Sequence, residues 1–317
     1  MSPTFSSTTY AAAGAPSPTP AADATRRIGG FLRGFSIEAT RPKPADIEAI
    51  RLCVPAGTRV YLSAIAGRPL DEIVAHAAAI RAAGLNPVPH VAVRNLQSRE
   101  EIAGLLAQLR EEADVTHLLA VGGDRSDAAG PFAVSLDLIE SGLLQRHGIT
   151  HIGLAGHPEG HACVSDDVLD RALRAKVEAA EAGGLVADIV TQFCFEGETI
   201  AAWVRRLRDY GIETPVRIGL AGPTSLTTLL KYAHRCGVKA SAGGLARHAG
   251  RMKRLFGVRA PDDIVRLLGE RAAGGALGEV AAHFFSFGDI GATARWAAQA
   301  AQGRLTLEGD SGFSVEG

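Results

Sequence analysis

A few polar residues stand where the surrounding chain is apolar, and each must either find a partner or do chemistry. Glu38 lies in FSIEAT (35–40). Period two puts it on one face with Ser36 and Thr40, while Phe35, Ile37 and Ala39 point the other way. A carboxylate carried into an apolar mouth has a raised pKa and can serve as a general acid. The competing role is an ion pair with Arg33 or Arg41. Ser63 and His90 close two further apolar runs. Asp124 follows Val121-Gly122-Gly123, where glycines let backbone approach a ligand; it can hydrogen-bond a heterocycle or cap a turn. His157 and His161 have the spacing of a zinc pair on a helix, but Pro158 and Gly160 disfavour that helix. A ligand-binding loop is expected there, and no metal. Gln192 offers both a donor and an acceptor, suited to the edge of a nitrogen heterocycle or to a buried structural role. Cys194, on the same face, has no neighbouring base and reads as packing.

These residues need a scaffold that gathers them. Short β-branched runs alternate with Ala/Leu-rich segments of helical period from Arg33 onward. Strands are predicted at 34–40, 59–65, 87–93, 117–122, 151–155, 188–195, 216–220 and 280–287. Helices are predicted between them, near 44–52, 70–83, 136–146, 167–182, 198–210 and 225–236, with another opening at the Ser98/Glu101 capping box and a last one at 290–301. Eight β/α repeats predict an α/β fold, a (β/α)8 TIM barrel, with an extra helical segment (about 242–271) before the eighth strand. Reactive residues of such barrels gather at the carboxyl ends of the strands, which is where the polar residues above fall. No GxGxxG follows the first strand, which disfavours a Rossmann sheet.

The length of 317 residues suits one barrel domain over 27–304. The Ser/Thr/Ala/Pro-rich stretch 1–26 reads as a disordered tail and 305–317 as a second tail. A formal net charge of −1 implies no general polyanion-binding surface, and an aromatic content of 5% argues against a nucleic-acid stacking platform. The cysteines, Cys53, Cys163, Cys194 and Cys236, form no CxxC pair and are expected reduced and buried. No apolar run approaches the ~18 residues of a membrane span. The start lacks a signal peptide's apolar core, and Gly29-Gly30 and Arg33 interrupt any segment following Arg26-Arg27. A cytoplasmic protein is expected.

FSIEAT (35–40), PVPH (87–90), HLLAVGGD (117–124), AGHPEGH (155–161) and VTQFCF (190–195) occur in that order. With them the chain resembles methylenetetrahydrofolate reductases from about residue 34 to 295. The resemblance implies a flavin-dependent barrel of one-carbon metabolism and methionine biosynthesis. It interconverts 5,10-methylenetetrahydrofolate and 5-methyltetrahydrofolate, hydride passing from reduced FAD N5 to a methylene iminium. Glu38 falls on the general acid that opens the imidazolidine ring. Asp124 falls on the aspartate that contacts folate and tunes the flavin, and Gln192 on the glutamine that contacts the pterin. Ser63, His90, Gly123, Ala155, His157 and His161 fall on flavin-side positions. Asp170 and Lys176 of the fifth helix match residues that accompany the FAD ribose or diphosphate. Self-association into a homo-oligomer is expected.

The departures matter. Gly122 stands where the family has an arginine, and His157 where it has a tyrosine. Leu226 stands where a phenylalanine stacks on nicotinamide, so the site for NADH or NADPH is altered. The expected grip on FAD is weaker, with Arg94 or Arg125 as candidates to compensate. Three alternatives stay open: the same barrel run toward methyltetrahydrofolate oxidation, a non-redox folate-binding barrel such as a pterin-dependent methyltransferase, and a binding subunit without catalysis.

Overall fold

The computed structural model describes residues 19–235 and 258–316. Eight parallel strands close into a barrel: β1 (Ser36–Ala39), β2 (Arg59–Leu62), β3 (Asn86–Ala92), β4 (His117–Val121), β5 (His151–Gly156), β6 (Val186–Thr191), β7 (Val216–Ala221) and β10 (Val280–Phe285), the last pairing back onto β1. The short β8 (Thr224–Ser225) and β9 (Val258–Arg259) pair with each other, apart from the barrel. The helices are α1 (Pro20–Leu32), α2 (Pro44–Cys53), α3 (Leu70–Ala82), α4 (Arg99–Ala113), α5 (Ser135–Glu140), α6 (Leu143–Arg146), α7 (Asp166–Ala182), α8 (Gly197–Asp209), α9 (Leu226–Arg235), α10 (Asp262–Ala273) and α11 (Ile290–Ala301). No helix of the described residues is long and apolar enough to cross a membrane.

Local signals explain the elements. In α4 the Ser98 hydroxyl accepts from Glu101 N at 3.1 Å, capping the first turn. Ile102, Leu105, Leu106 and Leu109 then recur at helical spacing and are all buried. In β2, Val60 and Leu62 join the core between strands and helices, while Tyr61 joins a separate cluster with Val88, Leu119 and Val190. The same period two makes Arg59, Tyr61 and Ser63 successive layers of the barrel interior.

Those layers differ in chemistry. Near the amino ends of the strands, Asp188 accepts from Arg217 Nε at 2.7 Å and Arg59 Nη1 at 3.2 Å, with His117 Nε2 at 3.3 Å. Burial pushes the Asp188 carboxyl up, but His117 and Arg59 outweigh it and hold it below the usual range. Tyr61, fully buried, separates this floor from the polar mouth.

Several expectations need correction. The stretch 1–26 does not read as a tail throughout. Helix α1 begins at Pro20, and Ile28, Phe31 and Leu32 are buried. The proline that suggested disorder occupies the helix's first position, where its missing N–H costs nothing. The segment 305–317 contains an antiparallel hairpin, β11 (Leu305–Glu308) and β12 (Gly312–Val315). The single helix expected over 136–146 is two, α5 and α6, broken at Gly142, whose φ is 69°. Strand β6 ends at Thr191, so Gln192 and Cys194 lie in the loop beyond it. Cys163 is exposed and Cys53 half-buried rather than buried, while Cys194 is buried. Of the extra helical segment, 262–271 falls in α10, while 242–257 and Cys236 lie outside the described residues.

Candidate active site at the barrel mouth

Glu38 rises from β1 at the carboxyl end of the barrel, with a side chain 12% exposed. Ser63, just past β2, donates its hydroxyl to Glu38 Oε1 at 2.6 Å. With that proton committed, Thr40 is the donor in the 3.3 Å contact between Thr40 Oγ1 and Ser63 Oγ. On the other side, His283 Nε2 lies 3.4 Å from Glu38 Oε2, and His283 Nδ1 lies 2.9 Å from Ser36 Oγ. With Ser36 donating to Nδ1, Nε2–H is directed at the carboxylate. His90 Nε2 is 3.6 Å from Glu38 Oε2, too far for a hydrogen bond, and is buried without a hydrogen-bond partner among the described residues.

These neighbours reverse the expected sign at Glu38. Burial pushes its carboxyl up, but the charge of His90, the hydrogen bond and charge of His283, and the Ser63 hydroxyl together hold it below the usual value of 4.5. The His90 contribution acts only in acid. Burial lowers the His90 pKa, and the opposing pull of Glu38 does not restore it. At neutral pH the carboxylate therefore rests on Ser63 and His283. The alternative partners Arg33 and Arg41 do not pair with Glu38: Arg41 Nε donates to Glu72 at 2.8 Å.

His283 and Ser36 were missed as site residues. The signal existed, because in VAAHFF period two sets His283 and Phe285 opposite Phe284, the residue that packs on the helices.

Gln192 takes its place by local bonds. Its backbone N–H reaches Gly156 O at 2.9 Å, and its Oε1 accepts from Phe193 N at 3.0 Å, which leaves the amide NH2 as its free donor. Asp124 is exposed and makes no hydrogen bond or ion pair among the described residues. Gly123 just before it has φ 93°, and a Cβ there would lie 3.1 Å from Ala92 Cβ. Beside Gly122 lies the Arg94 guanidinium, with Cζ 3.6 Å from where a Cβ would be. Arg94 Nε donates to Ala133 O at 2.7 Å and Nη1 to Arg125 O at 3.0 Å. Arg125 is exposed. Asn95 Oδ1 is buried without a hydrogen-bond partner among the described residues.

A second group forms where β5 leads into α7. The His157 and His161 rings meet edge-on at 5.5 Å. Burial, then His161 and Lys176, push the His157 pKa down to about 4. Burial alone lowers Lys176 to about 8. Cys163 N donates to His161 Nδ1 at 3.2 Å, so Nε2 is the ring nitrogen left for a ligand. Ala155 is half-buried in β5 beside Val190. Asp170 does not join this group, because its Oδ1 faces Arg206 Nη2 at 3.7 Å on α8. Leu226 opens α9 and is half-buried.

The mouth thus carries a buried carboxylate and a hydrogen-bonding rim, with a separate cluster of His157, His161 and Lys176 beside them. The family model described as methylenetetrahydrofolate reductase matches residues 57–270. "Methylenetetrahydrofolate reductase 1" of Schizosaccharomyces pombe is 25% identical over 157 residues, 47% of this chain and 25% of that protein. The chain therefore matches about a quarter of that relative's length. Among solved structures, an uncharacterized protein from Clostridium thermocellum that binds two copies of 5-methyl-5,6,7,8-tetrahydrofolic acid superposes with a TM-score of 0.54. At 12% identity, covering 86% of this chain and 96% of that one, it shares the fold.

Proposed function

Because the chain belongs to the methylenetetrahydrofolate reductase family, we propose that it interconverts 5,10-methylenetetrahydrofolate and 5-methyltetrahydrofolate with FAD as resident cofactor. The observation that carries this reading is Glu38, a buried carboxylate at the mouth held by Ser63 and His283 and facing His90.

The residues present fit a flavin. His90 Nε2 and Asn95 Oδ1 are buried polar atoms without hydrogen-bond partners among the described residues, a costly state that a ligand's donors and acceptors would relieve. Gly123 brings backbone to the same edge without a side chain. Lys176, desolvated by burial, and His161 both lie close enough to His157 to act on it, a cluster suited to a diphosphate. Ser63, His90, Gly123 and Ala155 would hold the ring end, and His157, His161 and Lys176 the phosphate end. Arg94 supplies the cation that position 122 lacks. When bound, the flavin supplies hydride to the one-carbon unit.

The chain's own residues handle the folate and the proton. Gln192 presents its free amide NH2 to the pterin edge, and Asp124 its unpartnered carboxylate. Glu38 delivers a proton to the nitrogen that leaves as the five-membered ring opens. His283 and Ser63 orient that carboxyl, and Ser36 fixes the His283 ring.

The test uses purified protein reconstituted with FAD. The reduced flavin should be reoxidised anaerobically by methylenetetrahydrofolate, followed by visible absorbance. Glu38→Gln should keep flavin and folate binding but slow this step by about a hundredfold or more. Protein that takes up no flavin overturns the redox reading. A Glu38→Gln variant with an undiminished rate overturns the acid role. Gly122 specifically favours a second reading, a non-redox barrel that binds methyltetrahydrofolate; folate binding without flavin uptake would select it.

A further inference from the structure

Glu159 stands between the two histidines of the β5–α7 loop, but its side chain leaves that loop. Its Oε1 accepts from Phe195 N at 2.7 Å and from Glu196 N at 2.8 Å. Those N–H groups belong to the chain entering α8, where a helix start leaves donors without intrahelical partners. Glu159 Oε2 is buried with no hydrogen bond among the described residues. The carboxyl is thus taken out of water to hold two backbone groups of another loop.

That other loop carries Gln192. Its first anchor is the bond from Gln192 N to Gly156 O at the end of β5. Thr191 Oγ1 and Cys194 Sγ then both donate to Gln192 O, at 2.9 and 3.0 Å, and tighten the turn. Phe193 is fully buried and meets Phe195, Phe285 and Phe287 edge-on. Beyond that turn, Glu159 is the side chain from the β5–α7 loop that grips the segment. The segment 191–196 is therefore tied to β5 through Gln192, to β7 through Cys194 N–H on Gly219 O at 3.2 Å, and to the histidine loop through Glu159.

We infer that Glu159 is a positioning residue that fixes the spacing between the His157–His161 pair and the Gln192 amide. It touches neither ligand itself. The inference rests on the reading above, in which the histidines face the flavin and Gln192 the folate. A single side chain then sets both halves of the mouth in register, and its loss should be felt at both. A residue that only added stability would leave the affinities of the folded protein unchanged.

The experiment compares wild type with Glu159→Ala, Glu159→Asp and Glu159→Gln. FAD is titrated by fluorescence quenching and 5-methyltetrahydrofolate by calorimetry. Hydrogen exchange of segments 157–163 and 192–197 is followed in the ligand-free proteins. Alanine removes the acceptor, and aspartate keeps the charge but shortens the reach. Each should weaken both ligands about tenfold and speed exchange in both segments together. Glutamine keeps the Oε1 acceptor and should restore affinities and exchange to near the wild-type level. The positioning role is overturned if alanine and aspartate leave both affinities unchanged, if they affect one ligand alone, or if glutamine fails as alanine does. Aspartate alone decides the matter should the alanine variant not fold. Failure of the functional reading looks different: wild type then binds neither ligand, and exchange alone decides, unchanged rates in the variants overturning the clamp.

Discussion

Glu38 is ionised in a dry place, and that sets what ligand binding must do to it. In the ligand-free protein its carboxyl sits below the usual value, so at neutral pH it holds no proton to give. A ring closing over the mouth removes water and brings no new cation, so the upward push of burial grows. Binding of 5-methyltetrahydrofolate should therefore take up a proton, and its affinity should fall as pH rises above the lowered pKa of the free carboxyl, by at most about tenfold per pH unit. Calorimetry in buffers of different ionisation heat counts that proton, and Glu38→Gln should abolish the uptake. Uptake that persists in the variant assigns the proton to another group. Glu38 itself was legible from alternation in FSIEAT. The sign of its pKa was not, because its partners come from 25 and 245 residues away. Burial can be guessed from a local pattern, whereas His283 and Ser63 arrive only when the barrel closes.

The β5–α7 loop shows the same division one level up. AGHPEGH points to a loop, since Pro158 and Gly160 disfavour a helix, and beyond Gly156 the structure keeps it irregular apart from a bridge between His161 and Val164. What the pattern could not show is that α7 would bury Lys176 against the histidines. The burial of His157 itself, with His161 and then Lys176 adding to it, makes the loop sensitive to acid. His157 binds its proton less tightly when folded, near pH 4, than when unfolded, near 6.5. Between those values the unfolded chain holds more protons, so stability rises with pH. The contribution is whole above about pH 6.5 and is lost as pH falls through 4, a difference of roughly 3 kcal/mol. Glu159, whose pKa burial raises, works in the opposite direction, its contribution being lost as pH rises above the usual 4.5. Urea unfolding at several pH values should show the loss, and His157→Asn should flatten the curve between pH 4 and 6.5. An unaltered slope in that variant would place the acid sensitivity elsewhere. Element boundaries were less legible than element order. Strand six was expected to run through Gln192, but the bonds to its carbonyl from Thr191 and Cys194 turn the chain first.

Across the whole molecule, eight repeats were enough to read a closed barrel, because each strand's pattern is local. The ends of the chain were not readable, because what orders them is surface offered by elements far along the sequence. Helix α1 lies against α10 and α11, and the carboxyl-terminal hairpin packs over the same pair. Phe313 stacks on Trp296 of α11 at 5.5 Å, its N–H donates to Asp262, and Arg266 of α10 donates to Gly309 O and Gly312 O. On the other side of α10, a Cβ at Gly269 would come within 2.9 Å of Arg27 O in α1. That contact is with backbone, so an alanine there must push α1 away. Phe313→Ala should cost about 3–5 kcal/mol through the cavity it leaves, and Gly269→Ala about 1–3 kcal/mol through overpacking. Because both act on α10, the double variant should depart from the sum of the two. Flavin and folate affinities, measured well below the unfolding transition, should stay at the wild-type level, since neither residue belongs to the mouth. Chemical unfolding followed by tryptophan fluorescence reads the cost directly, with Trp296 reporting on the hairpin itself. An unfolding midpoint that does not move in Phe313→Ala would mean that 305–316 adds nothing to the barrel and behaves as the tail its sequence suggested.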